Sequence, residues 1–492
     1  MITENVSALK INKLTQEQYD AALTAGILDE NALYCTPREI TSNSGGRKIE
    51  VVVTAAAGST VYYSDEEGNE YTQVVDSTGQ TTIVIPKYGT YSFYAVLGDQ
   101  QSDVVDMVLD TAMQYELKLS FYKYYGVKIE IGNSDPEAAV TYIDSASGMT
   151  AGWDNWKDTV IFKDIKPCVL KDGVVQYYLN PDNYTKKEDG TASTINSTTA
   201  GDVMVEIPKL GYKMTTDGTY HYIWVTEDPN ADGYCYAAHS KNELGDCDKI
   251  YVGAYLGYAV SSKLYSISGK TPTASINLTN FRTYATARGD GYELFSFYPM
   301  TLLQCLYLLI FKNRDSQSAL GKGFVEGSAA KNTGIANSRG FMYGSTTIGS
   351  NDSARVKFLG IEDFWGNLNC WVDGLRCDSS YNILTYYKDM TGTDDGTGYQ
   401  YSCSSGVISN ISGYTTDIVG TNHGGFMPNA ASGSDSTYYA DRGYWSSSSK
   451  CVSFGGNWSN GTAAGVFALM VSGAQNSTAT GLGARLIYKH IA

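Results

Sequence analysis

"FGGNWSNGTAAGVFALMVSGAQNSTATGLGARLIY", residues 454–488, is the stretch on which the reading of this chain turns. From Ser453 to Ala484 it holds no charged side chain, in a protein whose formal net charge is −16. Paired glycines, a tryptophan, a phenylalanine and a closing Gly-Ala-Arg-Leu run punctuate Asn, Ser, Thr and Ala. The large residues and glycines are what a fixed backbone needs. The small polar residues between them have no evident packing role.

Composition bounds the rest. A chain of 492 residues with 42% hydrophobic content has material for several cores. Its 40 Tyr and 51 Gly against only 10 Pro point to a β-rich protein with many turns. The acidic balance opposes general attraction to nucleic acid or anionic membranes, so neither is expected as a partner. The 9 Cys form no C-x-x-C pair and no regular spacing, which indicates neither a disulfide framework nor a zinc site. No basic n-region and apolar h-region open the sequence, so no signal peptide is read. The most apolar run, Met300–Phe311, is too short to span a bilayer and reads as a buried helix.

Four regions follow. In residues 1–45, Thr15 and Gln18 form a capping box and Gly26 a stop, which predicts one short helix, and "NALYCT" a strand after it. In 46–120, Ile49, Val51 and Val53 alternate with Glu50 and Thr54, and short strands recur with turns at Asp65–Asn69 and Ser77–Gln80. That spacing fits an immunoglobulin-like sandwich serving as a spacer. Region 121–290 is strand-rich and is either separate or the first part of the C-terminal unit. Its Asp228, Asn230, Asp232 and Gly233 match early positions of a calcium loop, but Pro229 interrupts it and His239 stands where a bidentate Glu is needed, so a turn is expected. In 291–492, Thr301 and Gln304 read as a second capping box, opening a helix from about Leu302 to "ALGKG"; glycine-rich loops follow.

Catalytic chemistry is not legible. His221, His239, His423 and His490 fall in no nucleophile or metal pattern, and the adjacent Glu362 and Asp363 would point to opposite faces of an extended segment. No catalytic residue, metal ligand or cofactor is assigned, and the chain is not read as an enzyme.

"FLGIEDFWGNLNCWVDGL", residues 358–375, is more specific: Gly366-Asn367 makes a turn flanked by Phe364, Trp365 and Trp371. This turn, then "FGGNW", then "GARLIY", resembles in kind and order the C-type lectin fold, in the branch shared by formylglycine-generating enzymes and phage variable proteins. The leader is similar to those of tailed-phage structural proteins. The resemblance implies a mainly β protein with some helix (α+β), an Ig-like β-sandwich followed by a C-type lectin fold over 291–492. It further implies a tail fibre or receptor-binding protein of a phage virion, made without a signal peptide and of the kind diversified by retroelements; the alternative is a structural or decoration protein of the virion without receptor specificity. It departs from calcium-dependent sugar lectins, because Glu-Pro-Asn, Gln-Pro-Asp and Trp-Asn-Asp motifs are missing and "WDNW" (153–156) is scrambled and elsewhere. It departs from the oxidases, because Cys370, Cys377, Cys403 and Cys451 match no reactive pair.

The resemblance divides the opening stretch. Gly366, Asn367, Trp371, Gly455, Gly456, Trp458, Gly465, Phe467, Leu469, Gly483, Arg485 and Leu486 become scaffold. Asn457, Ser459, Asn460, Thr462, Ala463, Ala468, Ser472, Asn476, Thr478 and Thr480 become a variable ligand-binding face, the palette that adenine-directed mutagenesis of Asn-type codons yields. Such residues suit an adaptable binding surface. Met470 and Gln475 fall outside that palette and are expected to be fixed. The implied partners are a bacterial surface receptor, protein or glycan, other tail proteins through the leader, and two further copies of the chain in a homotrimer.

Overall fold

The computed structural model describes residues 11–13, 33–35, 49–98, 100–110, 114–240, 246–345, 354–377, 383–385, 400–403, 411–421, 423–445 and 450–489. The protein is mainly β with few helices, and it divides into two compact units, Met1–Lys123 and Tyr124–Ala492. The helix read at Thr15, Gln18 and Gly26 lies outside the described residues, as do His490 and the Cys403 side chain.

In the first unit, Leu33–Cys35 is a strand, pairing in parallel with Ile11–Lys13. Two further sheets share one core. Ile49–Thr54 lies between Gln114–Lys118 and Gln80–Ile85, while Thr60–Asp65 lies between Glu70–Val74 and Gly89–Leu97. Ile49, Val51 and Val53 are buried while Glu50 and Thr54 are exposed, the alternation read from the sequence. They pack with Val61, Ile83, Ile85, Phe93 and Leu109. Asp65 closes its turn by accepting from the backbone N–H of Glu67 and Asn69, both at 3.0 Å. Asp76 does the same for Thr78 at 2.8 Å.

The second unit is built on a buried helix, Phe297–Phe311, of which only Phe311 is not buried. The sequence reading misplaced its ends. Thr301 and Gln304 do not cap it; both lie inside it, with Ser296 at the N-cap and Lys312 in the left-handed conformation at the other end. Pro299 falls in the first turn, where its missing N–H has no helical partner to lose. Gln304 Nε2 instead donates to the Val466 carbonyl at 2.8 Å, tying the helix to the neutral stretch. The segment "ALGKG" begins with the last residue of a separate short helix, Ser316–Ala319, capped by Asp315. Tyr307 packs edge-on against Phe358, Trp365 and Phe467. An all-round apolar helix needs cover on every side, and here sheet and loop residues provide it. Among the described residues no helix is long and apolar enough to cross a membrane.

A four-stranded antiparallel sheet runs Val140–Asp144, Tyr124–Glu130, Tyr220–Thr226, Gly211–Thr216. A seven-stranded sheet inserts the last strand, Leu486–Lys489, between Lys249–Gly253 and Tyr292–Leu294, with Asp202–Pro208 and Lys166–Lys171 beyond. Residues on both sides of position 291 therefore share one sheet. The largest sheet orders Asn369–Cys377, Lys450–Phe454, Leu469–Gly473 and Arg442–Trp445 side by side. The helix Leu278–Thr286, capped by Asn277, was not foreseen. Asp228 forms a turn, accepting from Asn230 N at 3.0 Å and from the Tyr124 hydroxyl at 2.7 Å.

Candidate ligand-binding face

The Gly366-Asn367 turn organises the site. Both residues adopt positive φ, 83° and 64°. A Cβ at position 366 would lie 2.9 Å from the Phe324 nitrogen, so glycine is required there. Asn367 is fully buried and binds three segments. Its Oδ1 accepts from Lys331 N at 2.8 Å, and its Nδ2 donates to the Lys331 carbonyl at 3.0 Å and to Asp363 Oδ2 at 2.8 Å. Its own carbonyl accepts from Trp458 N at 3.1 Å.

Beneath the turn lies a buried charged frame. Asp363 is paired with Arg355, and Glu362 accepts from Gly334 N at 2.7 Å and Ala336 N at 2.6 Å. Arg485, 2% exposed, donates to the carbonyls of Gly253, Glu362 and Asp363 at 2.7, 2.9 and 2.9 Å. It thereby locks the closing strand to the turn through backbone. Burial, then the Asp363 charge, pushes the Glu362 carboxyl up, while burial pulls the nearby Lys357 ammonium down.

Phe467 is buried against Tyr307, Phe426 and Tyr439, and its N–H donates to Asp441 at 2.7 Å. A Cβ on Gly456 would sit 2.5 Å from that of Ala464, which closes the base of the loop between them. Trp371 is buried and rests against Gly473 at the foot of the next loop. Gly455, Gly465, Leu469, Gly483 and Leu486 are also buried. Trp458 is tied to the frame by its backbone, while its ring is only half-buried, with Nε1 shielded but unpartnered.

Two loops stand on this frame. In the first, Ser459 is exposed and Thr462 and Ala463 half-buried; the Thr462 hydroxyl meets that of Tyr414 at 2.6 Å. Asn457 and Asn460 are committed to the turn itself. Asn457 Oδ1 accepts from Ser459 N at 2.9 Å, and Asn460 Oδ1 from Asn457 N at 2.7 Å. In the second loop Asn476, Thr478 and Thr480 are exposed and Ser472 is half-buried. Gln475 and Ala479 hold this loop by their carbonyls, which accept from Leu278 N and Ser275 N, both at 3.1 Å. The loops meet where Asn457 packs over Gly481. Ala468 does not belong to the face: it is 3% exposed, and its carbonyl accepts from Gly455 N at 3.0 Å. Its small size fits the interior of a tight turn.

A third segment was missed. Glu326, Ser328, Ala329, Lys331 and Asn332 are exposed beside the first loop. Gly327 N donates to the Trp458 carbonyl at 2.6 Å, and Gly461 N to that of Val325 at 2.9 Å. The two loops present small hydroxyl, amide and methyl groups on backbone fixed by buried partners, and the third segment adds the charges of Glu326 and Lys331 at their side. The two loops can form many hydrogen bonds without desolvating ions. Among the described residues no group of His, Cys, Asp and Glu is placed to hold a metal. Cys370, Cys377 and Cys451 are buried, and burial pushes the Cys370 thiol up to about 12, the reverse of an activated thiolate.

No protein-family model and no curated protein matches the chain. Among solved structures it is similar to the Major Tropism Determinant P3c variant at 13% identity, covering 83% of this chain and 82% of that one with a TM-score of 0.25. The Major Tropism Determinant I1 variant is similar at 12% identity, over 83% and 82% of the two chains, with a TM-score of 0.26. A putative adhesin from Bacteroides ovatus is similar at 10% identity, over 44% of this chain and 81% of that one, with a TM-score of 0.13.

Proposed function

We propose that this protein is a receptor-binding protein of a phage tail, recognising a bacterial surface receptor through the loops at 457–463 and 472–480 together with 326–332. One observation carries the reading: exposed small polar side chains sit on backbone whose fixation comes from buried residues elsewhere, chiefly Asn367, Arg485 and Phe467. Side chains at Asn476, Thr478 and Thr480, and at Ser459 apart from the bond its hydroxyl donates to Asn457 Oδ1 at 2.9 Å, are thereby free to change without altering the fold, as a diversified binding surface requires. We read residues 291–492 as carrying a C-type lectin-type fold and 46–120 as an immunoglobulin-like spacer. The leader then serves tail attachment, and the chain works as a homotrimer on the virion, where repeated weak contacts multiply into avidity.

The test uses the full chain and cells of the host of the phage that encodes it. Wild-type protein should adsorb to the cells and block infection. Ser459→Tyr and Thr478→Tyr should abolish or redirect adsorption while the circular dichroism spectrum and melting curve stay in place. Unchanged adsorption with both variants would assign the chain to virion decoration instead.

A further inference from the structure

We propose that the second unit holds a second ligand site, separate from the loop face, for a neutral sugar. A cleft of about 390 Å³ opens between the short helix Trp153–Trp156, the strand Val174–Asn180, the hairpin that follows it and residues 340–342. Its volume falls at the lower end of small-ligand pockets, roughly 300–1,000 Å³. None of its lining residues belongs to 326–332, 457–463 or 472–480.

The helix divides its two tryptophans between different tasks. Trp156 is fully buried against Tyr125, Tyr142 and Phe162. Trp153 is half-buried and lines the cleft. Its ring is held from two directions, edge-on by Phe162 with centroids 5.8 Å apart and by Phe341 at 5.6 Å. An aromatic surface fixed in advance loses little freedom when a ligand lands on it.

Polar groups of both kinds surround that surface. The lining includes four carboxylates, Asp154, Asp158, Asp182 and Glu188, and three ammonium groups, Lys157, Lys163 and Lys166. Asp154 is taken by Lys157 at 3.1 Å. Lys166 Nζ sits 5.8 Å from the Tyr178 ring centroid, and the Tyr178 hydroxyl is fixed by donating to Glu206 at 3.1 Å.

This near balance of charge decides the ligand class. An anion meets four carboxylates and a cation three ammonium groups, so neither gains strongly. A pyranose suits both features of the cleft. The C–H bonds of its apolar face pack on an aromatic ring, whose face is electron-rich. Each hydroxyl at its edge both donates and accepts, donating to Asp182 or Glu188 and accepting from Lys166.

Saturation-transfer NMR on the full chain tests this, with methyl glucoside and N-acetylglucosamine as neutral probes, glucosamine as the cation and N-acetylneuraminic acid as the anion. A neutral probe should bind with Kd of about 1 mM, and Trp153→Ala should weaken it at least about tenfold. Because Trp153 also packs on Phe162 and Phe341, the exposed pair Asp182→Asn and Glu188→Gln gives an independent reading and should weaken binding by about fivefold without changing the fold. Ser459→Tyr and Thr478→Tyr should leave this binding unchanged, so it stands or fails apart from the loop face. No saturation by either neutral probe, preference for a charged one, or binding indifferent to the cleft variants would overturn the assignment.

Discussion

Asn367 is the residue whose loss should be felt most widely for its size. Replacing it by Ala removes three side-chain hydrogen bonds, two with the Lys331 backbone and one to the Asp363 carboxylate. Neutral bonds contribute about 1 kcal/mol each and a bond to a charged group about 1.5–3 kcal/mol, which gives about 3.5–5 kcal/mol. Left-handed backbone adds about 1–2 kcal/mol for Ala, since Asn tolerates that conformation and Ala does not. The expected loss is about 4.5–7 kcal/mol. Asn367→Gly keeps the backbone free and should recover only the last part. Urea denaturation of the full chain followed by tryptophan fluorescence measures this, in the transition that belongs to Tyr124–Ala492. All seven tryptophans lie in that unit. A loss below about 1 kcal/mol for Asn367→Ala, or equal losses for Ala and Gly, would refute the reasoning.

Asn457→Ala and Asn460→Ala should each cost about 1 kcal/mol because they break the loop's own turn, whereas Asn476, Thr478 and Thr480 variants should shift stability by under about 0.5 kcal/mol; thermal melts of the variants separate the two groups. Phe467→Ala should destabilise by about 3–5 kcal/mol, and Trp458→Ala by clearly less, because its ring is half exposed; equal losses in denaturation would contradict the burial. Burial, then the Lys489 charge, pulls His239 down to about 3. The unfolded chain takes up a proton on it below about pH 6.5 and the folded chain does not, so its contribution is complete above that pH and fades as pH falls towards 3. Between about pH 6.5 and 5 the loss approaches 2 kcal/mol. The stability difference between wild type and His239→Gln should shrink over that interval, and parallel curves from pH titration of the denaturation midpoint would show the idea to be wrong.

The sequence made some of this plain and hid the rest for physical reasons. Ile49–Thr54 was legible because one face of a two-sheet unit is wet, so burial alternates. The Gly366-Asn367 turn was legible because few residue types accept positive φ. The Phe297–Phe311 helix was found but misregistered, since in an all-round buried helix a lone Thr and Gln mimic a cap. Its true start contains Pro299, which reads as a break unless it falls in the first turn. Asn457 and Asn460 also build the turn of their own loop, a task the sequence could not separate from meeting a ligand. Ala468 misled, small enough for either place. The 326–332 segment was missed because its bonds to Trp458 and Gly461 join points far apart in the chain, which composition cannot register.

The strand Leu486–Lys489, clasped between Lys249–Gly253 and Tyr292–Leu294, sets the timing of assembly. The seven-stranded sheet has a gap until the ribosome has released residues near 489, so the second unit cannot close during synthesis of its earlier parts. Such distant pairing makes the last folding step slow relative to local structure. A nonsense or frameshift change anywhere in the preceding loops removes the strand and Arg485 with it, leaving an open sheet edge that chaperones and proteases act on. Only chains read through residue 489 can fill that gap in the sheet.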